Sequence, residues 1–152
     1  MHFLLLVAVV LAFSESEVAP ASLDRGAATI TTSEGERISL RVEIARTQAE
    51  RSRGLMHRRA LPARSGMVFV YPQESSGGFW MKNTLIPLDI AFLDARGKIL
   101  RILTMTPCRT ERCRIYNPGV RYRSALEVNA GSFRRWHVKA GNVVAVRSTS
   151  KG

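Results

Sequence analysis

Apolar segments of strand length recur along this chain, and turn-forming residues separate them. Residues 38–44 alternate between apolar and polar side chains, which is the period of a strand with one buried face. Residues 88–94 and 99–105 are further apolar runs, and Ala-Arg-Gly-Lys at 95–98 predicts a hairpin turn between them. Turn signals spaced roughly eight to twelve residues apart are typical of β-sandwiches and barrels. We therefore predict an all-β fold, a compact antiparallel and jelly-roll-like sandwich or barrel with one or two short helices.

The predicted helices are short, and the longest loops are predicted elsewhere. Thr-Gln-Ala-Glu, beginning at Thr47, is a capping box, in which a hydroxyl and a carboxylate each bind a free backbone N–H. A short helix should begin there and end near Gly54. A second helical turn is expected within 131–138. Residues 72–78 and 106–121 contain many turn formers and predict loops, where binding sites commonly lie.

The N-terminal segment predicts export. Residues 3–13 are uniformly apolar, but a helix that crosses a bilayer needs about 20 residues. The run fits the hydrophobic region of a secretory signal peptide, and Ala-Pro-Ala at 19–21 supplies a cleavage site. We expect a periplasmic or secreted protein with no transmembrane segment after cleavage. Its predicted parts are a signal peptide, a leader, one all-β domain and a C-terminal tail, at residues 1–21, 22–27, 28–147 and 148–152.

The charge of the chain is strongly positive and unevenly distributed. The formal net charge is +11, and the basic residues concentrate in 46–64 and 107–152. Such a charge favours an anionic envelope surface, such as acidic lipid head groups or polyanionic glycans. A solvated, arginine-rich surface would have the same composition. The basic segments match no nucleic-acid-binding motif, so we expect no nucleic acid partner.

Several segments together resemble a known family. FWMKNTLIPLDIAFLD occupies 79–94, and GLMHRRALP, GMVFVY and ALEVNAG occupy 54–62, 66–71 and 125–131. With Gly141, they resemble the family called domain of unknown function 192, or uncharacterised protein family 0127. The resemblance implies a small, often exported bacterial β-sandwich or jelly-roll-like protein, and it implies no activity, cofactor or substrate. The chain departs from the family at Asn142, where Asp is more common.

Two carboxylates lie in segments that we predict to be strands with mostly apolar faces. These are Asp89 and Glu127. Burying an ionised carboxylate without a partner is costly, so a cation or backbone donors should bind each one. Arg58 is the leading candidate partner, and Lys82 and the Asn83 amide are others. If the carboxylates converge, one could hold a raised pKa and the pair could act as acid and base. The alternative is a structural bridge to arginine.

An aromatic residue beside a loop suggests a ligand-binding surface. Trp80 lies in a short apolar run next to Ser-Ser-Gly-Gly, where it could stack on a sugar or another flat ligand. The alternative is a core tryptophan. Asn83 and Thr84 follow and predict a turn with side-chain-to-backbone hydrogen bonds. The full candidate ligand-binding set is Arg58, Trp80, Lys82, Asn83, Thr84, Asp89 and Glu127.

The cysteines predict a disulfide, and the histidines predict no metal site. The chain has two Cys, Cys108 and Cys113, and an even count in an exported chain favours a bridge between them. His57 and His137 lack the local ligand spacing of known metal motifs. A site of both histidines with Asp89 or Glu127 is conceivable, but we predict neither a metal nor a cofactor.

These observations favour a binding module over two alternatives. The favoured function is an exported domain that binds a small polar or glycan-like envelope ligand. The first alternative is a hydrolase or isomerase with Asp89 and Glu127 as acid and base. For glycosidase-like chemistry the two carboxyl groups should lie roughly 5–9.5 Å apart. The second alternative is a purely structural envelope protein.

Overall fold

The computed structural model describes residues 22–149, so the predicted signal peptide and the last three residues lie outside the described part. The all-β prediction with one or two short helices is confirmed. No helix among residues 22–149 is long and apolar enough to span a bilayer. The elements, in chain order, are β1 (Asp24–Thr31), β2 (Arg37–Ala45), α1 (Gln48–Arg53), β3 (Ser65–Ser75), β4 (Phe79–Trp80), β5 (Leu88–Leu93), β6 (Ile99–Met105), β7 (Ile115–Tyr116), β8 (Tyr122–Asn129), α2 (Ser132–Arg135) and β9 (Val143–Ser148).

Seven of the strands form one sheet. Their order is β6-β5-β8-β3-β2-β1-β9, and β4 pairs with β7 in a separate two-stranded sheet. Neighbours in the large sheet are antiparallel except β2 and β3, which are parallel. A parallel pair needs a long crossover connection, and residues 46–64 form it, with α1 inside it. This one pair departs from the antiparallel arrangement that the sequence predicts.

The large sheet curls until its two edge strands approach each other at one end. The Ile99 N–H donates to the Asn142 carbonyl and the Val144 N–H donates to the Gly97 carbonyl, both at 2.8 Å. Apart from one isolated bridge, β6 and β9 do not pair within residues 22–149. The sheet is therefore open and is not a closed barrel.

Both faces of the curled sheet are buried. The face that α2 covers, here called the α2 face, carries Val68 and Leu126, with Phe133 of α2 packed against them. The opposite face, here called the α1 face, carries Phe69 and Ile90 and is covered by the crossover and by the two-stranded sheet. Side chains alternate between these faces along each strand. All six residues of β5 are buried, as the mostly apolar faces of its sequence predict.

The short helix α1 begins and ends where the sequence predicts. The Thr47 hydroxyl accepts from the Glu50 N–H at 3.2 Å, and the Glu50 carboxylate accepts from the Thr47 N–H at 2.8 Å. Backbone hydrogen bonds from Thr47 and Arg46 hold the pKa of Glu50 below its usual range. Gly54 ends the helix with a φ of 46°. The capping box and this glycine therefore fix both ends of the helix.

Several boundaries differ from the sequence prediction. β3 runs to Ser75, inside the predicted loop 72–78. β1 begins at Asp24, inside the predicted leader, because this segment pairs with the end of β2. β9 extends to Ser148, into the predicted tail. β7 lies inside the predicted loop 106–121, where two paired residues are too few to give a recognisable period.

The departure from the family at Asn142 leaves a local hydrogen bond intact. Asn142 is buried, and its side-chain oxygen accepts from the Lys139 N–H at 2.9 Å. An amide oxygen can accept this bond as a carboxylate oxygen would. The turn that leads into β9 is therefore held by the asparagine.

Candidate functional site

A cavity of about 380 Å³ lies on the α1 face, between the crossover and the two-stranded sheet. The crossover supplies one wall, β3 and β8 supply the floor, and β4 supplies the opposite wall. Four different parts of the chain thus converge on one opening. The residues that matter most to its chemistry are Arg51, Arg53, Tyr71, Phe79, Trp80 and Glu127.

Glu127 lies in the floor of this cavity. Its side chain points to the α1 face. Its partners in register are Met67 of β3 and Ile90 of β5. Its exposed fraction is 5%, and its side chain accepts no hydrogen bond from residues 22–149. Burial among apolar neighbours raises the pKa of Glu127 to about 8. At neutral pH this carboxyl group is mainly protonated, so it can both donate and accept a hydrogen bond.

Arg51 of α1 is held against Tyr71 of β3. The guanidinium carbon lies 4.8 Å from the centre of the Tyr71 ring. The Arg51 Nη1 donates to the Val70 carbonyl at 3.0 Å and also to the Arg46 carbonyl. Burial raises the pKa of Tyr71 well above its usual value, so its hydroxyl stays neutral. The two side chains therefore present a fixed cation and a neutral phenol to the cavity.

The wall formed by β4 is aromatic. The Phe79 ring packs edge-on against Phe69 with the centroids 5.1 Å apart. Trp80, the next residue, alternates to the solvent-exposed side of the strand, borders the cavity and is 48% exposed. The Lys82 Nζ lies 5.3 Å from the centre of the Trp80 ring. Trp80 is therefore not a core residue, and a ligand could reach its ring.

The Asn83–Thr84 segment forms the turn that the sequence predicts. The Thr84 N–H donates to the Met81 carbonyl, and the Thr84 hydroxyl donates to the Lys82 carbonyl, both at 3.2 Å. Asn83 has a φ of 54°, and its carbonyl accepts from the His57 N–H at 2.8 Å. The bond between His57 and Asn83 joins the two walls of the cavity. Thr84 lines the cavity, while a direct ligand contact of Lys82 or Asn83 stays a prediction.

Asp89 does not reach the cavity, because it lies on the α2 face. It is buried, and its carboxylate accepts from the Thr104 hydroxyl at 2.8 Å and from the Phe133 N–H at 3.4 Å. The prediction of backbone donors is confirmed for this residue. The possibility that Asp89 converges with Glu127 is wrong, since neighbouring strands place them on opposite faces.

Arg58 binds a different carboxylate from the ones predicted. Its Nη1 lies 2.5 Å from the Glu43 Oε2, in a half-buried ion pair. Glu43 belongs to β2, which the parallel crossover brings beside the residues after α1. The prediction that Arg58 neutralises Asp89 or Glu127 is therefore wrong.

The two cysteines are joined, as the sequence predicts. Cys108 and Cys113 form a disulfide with their Cα atoms 5.4 Å apart. The Cys108 N–H donates to the Met81 carbonyl at 3.4 Å, which ties this loop to the end of β4. Among the described residues, no group of three or more His, Cys, Asp or Glu side chains is placed to hold a metal ion.

Arg51, Arg53 and Tyr71 line the cavity although the sequence did not single them out. A helix of six residues shows too little periodicity to reveal which side faces the protein. Tyr71 carries a weak signal, because it shares the alternation of Met67 and Phe69 at the end of an apolar strand. A polar ring on an otherwise apolar face indicates the edge of a buried surface.

Comparison with known proteins identifies relatives of uncharacterised function. The DUF192 family model, described as Uncharacterized ACR, matches residues 29–146. A crystal structure of a candidate transcription regulator from Sinorhizobium meliloti 1021 is 30% identical, with a TM-score of 0.79 over 84% of this chain and 98% of that one. A protein of unknown function from Novosphingobium aromaticivorans DSM 12444 is 32% identical, with a TM-score of 0.75 over 85% and 94% of the respective chains. None of the curated proteins matches the chain.

Proposed function

Because the chain belongs to DUF192, an uncharacterised family, its function must be inferred from its site, and we propose that it binds a small polar, glycan-like ligand in the α1-face cavity. The observation that carries this proposal is Glu127. A polar side chain buried without a hydrogen-bond partner costs free energy, and a ligand that supplies the partner recovers it. Glu127 is 5% exposed, its side chain makes no hydrogen bond with residues 22–149, and its carboxyl group is open to the cavity, so a ligand there would supply its partner.

The walls of the cavity support a ring-shaped, hydroxylated ligand. Trp80 offers an exposed aromatic face at the rim, which suits the apolar face of a sugar ring. Glu127 and Tyr71 offer neutral groups that can exchange hydrogen bonds with hydroxyl groups. A cavity of about 380 Å³ is at the lower end of the size range of small-molecule sites.

The acid–base alternative lacks its second carboxylate. Glu127 is the only Asp or Glu among the described residues that line the cavity. Asp89, its predicted partner, is on the other face of the sheet and is bound to Thr104 and Phe133. The geometry therefore favours binding over the hydrolase or isomerase mechanism that used this pair.

A titration with sugars tests the proposal. Isothermal titration and thermal shift would compare N-acetylglucosamine, N-acetylmuramic acid, glucose and glucuronic acid against the purified protein. Trp80→Ala and Glu127→Ala should weaken binding at least about tenfold, because each removes a contacting group. Asp89→Asn, a buried carboxylate substitution outside the cavity, is the matched control and should bind normally. Absence of any sugar binding would favour the structural-protein alternative.

A second candidate function is contact with an anionic envelope surface. Trp80 and Ile115 pair across the two-stranded sheet and are 48% and 56% exposed. The neighbouring disulfide loop carries Arg109, Arg112 and Arg114. Exposed aromatic and aliphatic side chains beside basic ones suit an acidic lipid surface.

Vesicle sedimentation tests this second candidate. The protein should bind vesicles that contain phosphatidylglycerol more strongly than phosphatidylcholine vesicles. Ile115→Ser should reduce that binding, while Val146→Ser, at an exposed site on β9, should not. Binding of duplex DNA in preference to both vesicles would contradict the candidate.

Export is part of the proposed function, and the N-terminal sequence supports it. Residues 3–13 and the Ala-Pro-Ala at 19–21 have the features of a signal peptide and its cleavage site. A disulfide in the mature domain is compatible with an oxidising compartment. Mass spectrometry of the protein from a periplasmic fraction should give a chain that begins at Ser22. A cytoplasmic product that begins at Met1 would contradict export.

A further inference from the structure

The α1-face cavity has an excess of positive charge. Two of its lining residues, Arg51 and Arg53, carry positively charged guanidinium groups. Its one carboxyl group is Glu127, and burial keeps that group mainly neutral at pH 7. The other described lining residues are uncharged. An electrically neutral sugar would leave this charge uncompensated, whereas an anionic group would complement it.

Arg51 is oriented before any ligand arrives. Its Nη1 donates to the Val70 and Arg46 carbonyls, and its guanidinium carbon lies over the Tyr71 ring. The Nε and Nη2 groups donate no hydrogen bond to residues 22–149. A guanidinium can bind a carboxylate with two parallel hydrogen bonds, and a fixed side chain loses little conformational entropy in doing so.

We infer that the ligand of this cavity is an acidic sugar or a similar hydroxylated carboxylic acid, whose carboxylate binds Arg51 while its ring packs against Trp80. This inference rests on the proposed function and specifies its ligand class. Arg53 adds a second positive charge at the rim. Glu127 in its neutral form donates a hydrogen bond to the ligand without repelling it.

The binding of such a ligand should depend on the protonation of Glu127. The titratable or charged groups that line the cavity together with Glu127 are Arg51 and Arg53 from the crossover and Tyr71 from β3. Met67 and Ile90, beside it on β3 and β5, carry no charge. Ionisation of Glu127 places a negative charge beside the bound carboxylate and weakens binding.

Matched sugar pairs test the inference. Glucuronic acid is compared with glucose, and N-acetylmuramic acid with N-acetylglucosamine, by isothermal titration at pH 6.5. At least one acidic member should bind about tenfold more tightly than its neutral counterpart. Arg51→Gln should remove that preference. Arg123→Gln is the control, because Arg123 also donates to a β3 carbonyl, that of Tyr71 at 2.8 Å, but lies outside the cavity lining.

Two further variants keep the test independent of folding. Arg53 donates no hydrogen bond from its side chain to residues 22–149, so Arg53→Gln removes charge from the cavity without breaking such a bond. It should reduce the preference for the acidic sugar severalfold. Glu127→Gln should bind the acidic sugar at pH 6.5 and, unlike the unmodified protein, bind it equally well at pH 9.

The outcomes separate this inference from the proposed function. Equal binding of acidic and neutral sugars, unchanged in Arg51→Gln, would overturn the acidic ligand class and leave a sugar-binding cavity. Acidic preference that Arg123→Gln removes and Arg51→Gln retains would also overturn it. If no sugar of either pair binds, both the ligand class and the proposed function are wrong.

Discussion

Asp89 and Glu127 lie on adjacent strands of one sheet and face opposite sides of it. In the register of β5 with β8, Asp89 is opposite Val128 and Glu127 is opposite Ile90. Because side chains alternate, a shift of one residue in this register would have put both carboxyl groups on the same face. The two groups therefore have separate surroundings. We expect Asp89 to affect stability and Glu127 to affect ligand binding and pH dependence.

Substitution of Asp89 should destabilise the protein without affecting the cavity. Asp89→Ala leaves the Thr104 hydroxyl and the Phe133 N–H without their acceptor, which should lower the free energy of unfolding by about 1–3 kcal/mol. Asp89→Asn keeps an acceptor oxygen and should cost less. Urea denaturation of both variants measures the difference. Unchanged unfolding midpoints in both would show that these hydrogen bonds contribute nothing.

The pH dependence of stability should contain a contribution from Glu127. Its pKa in the folded protein is about 8. The unfolded value is about 4.3, so the folded state binds the extra proton between these values and loses stability as the pH rises. Glu127→Gln does not titrate. The free energy of unfolding of the Glu127→Gln variant minus that of the unmodified protein should therefore increase between pH 5 and pH 8, by on the order of 3 kcal/mol.

Chemical denaturation at several pH values measures this contribution. The quantity to compare is the difference between the two proteins, because other titrating groups contribute equally to both. A difference that stays constant between pH 5 and pH 8 would contradict the raised pKa.

Two glycines with similar backbone conformations should differ in their tolerance of a side chain. Gly97 and Gly35 have φ values of 84° and 86°. A Cβ atom on Gly97 would lie 2.1 Å from the Val144 carbonyl oxygen, whereas one on Gly35 has no neighbour within 4 Å. Gly35→Ala should cost roughly 1 kcal/mol for the backbone strain alone. Gly97→Ala should cost clearly more in thermal unfolding, since it also displaces β9. Equal costs would mean that the contact with Val144 is not required.

The disulfide should contribute modestly to stability. The bridge joins residues five apart, so it restricts the unfolded chain little, and its loss should cost about 2 kcal/mol. The double variant Cys108→Ser/Cys113→Ser should show this loss and keep the circular dichroism of the large sheet. Thiol titration of the denatured, unreduced protein should find no free thiol. Two titratable thiols in that sample would rule out the bridge in solution.

The sequence predicted the local structure better than the site. Alternation located β2, an apolar run of strand length located β5, and the capping box located α1, because these signals depend on neighbouring residues only. The parallel pairing of β2 with β3 depends on distant residues, and it decides that Glu43 meets Arg58. That pairing has no local signature. The partner of Arg58 was therefore predicted wrongly.

Burial of the two carboxylates was predictable, but their surroundings were not. Apolar neighbours in the chain indicated that Asp89 and Glu127 are poorly solvated, and both are buried. Which face each one occupies relative to the other follows from the register of β5 with β8, which is set by long-range contacts. Arg51 belongs to the crossover between β2 and β3, whose position against the sheet depends on distant residues. Its place in the cavity therefore could not be predicted from the local sequence.

The crossover between β2 and β3 lines the cavity but adds no strand to the large sheet, while β3, β4 and β8 supply the other lining residues. Residues 46–64 supply Arg51, Arg53 and one wall of the cavity, but they contribute no strand to the large sheet. We expect changes at their exposed positions to leave the strand register unaltered, whereas Leu55 and Leu61 are buried in the core. One contiguous segment can therefore diverge among relatives and change the ligand while the scaffold is inherited intact. Exchange of residues 46–64 alone between two members of the family should therefore transfer ligand preference.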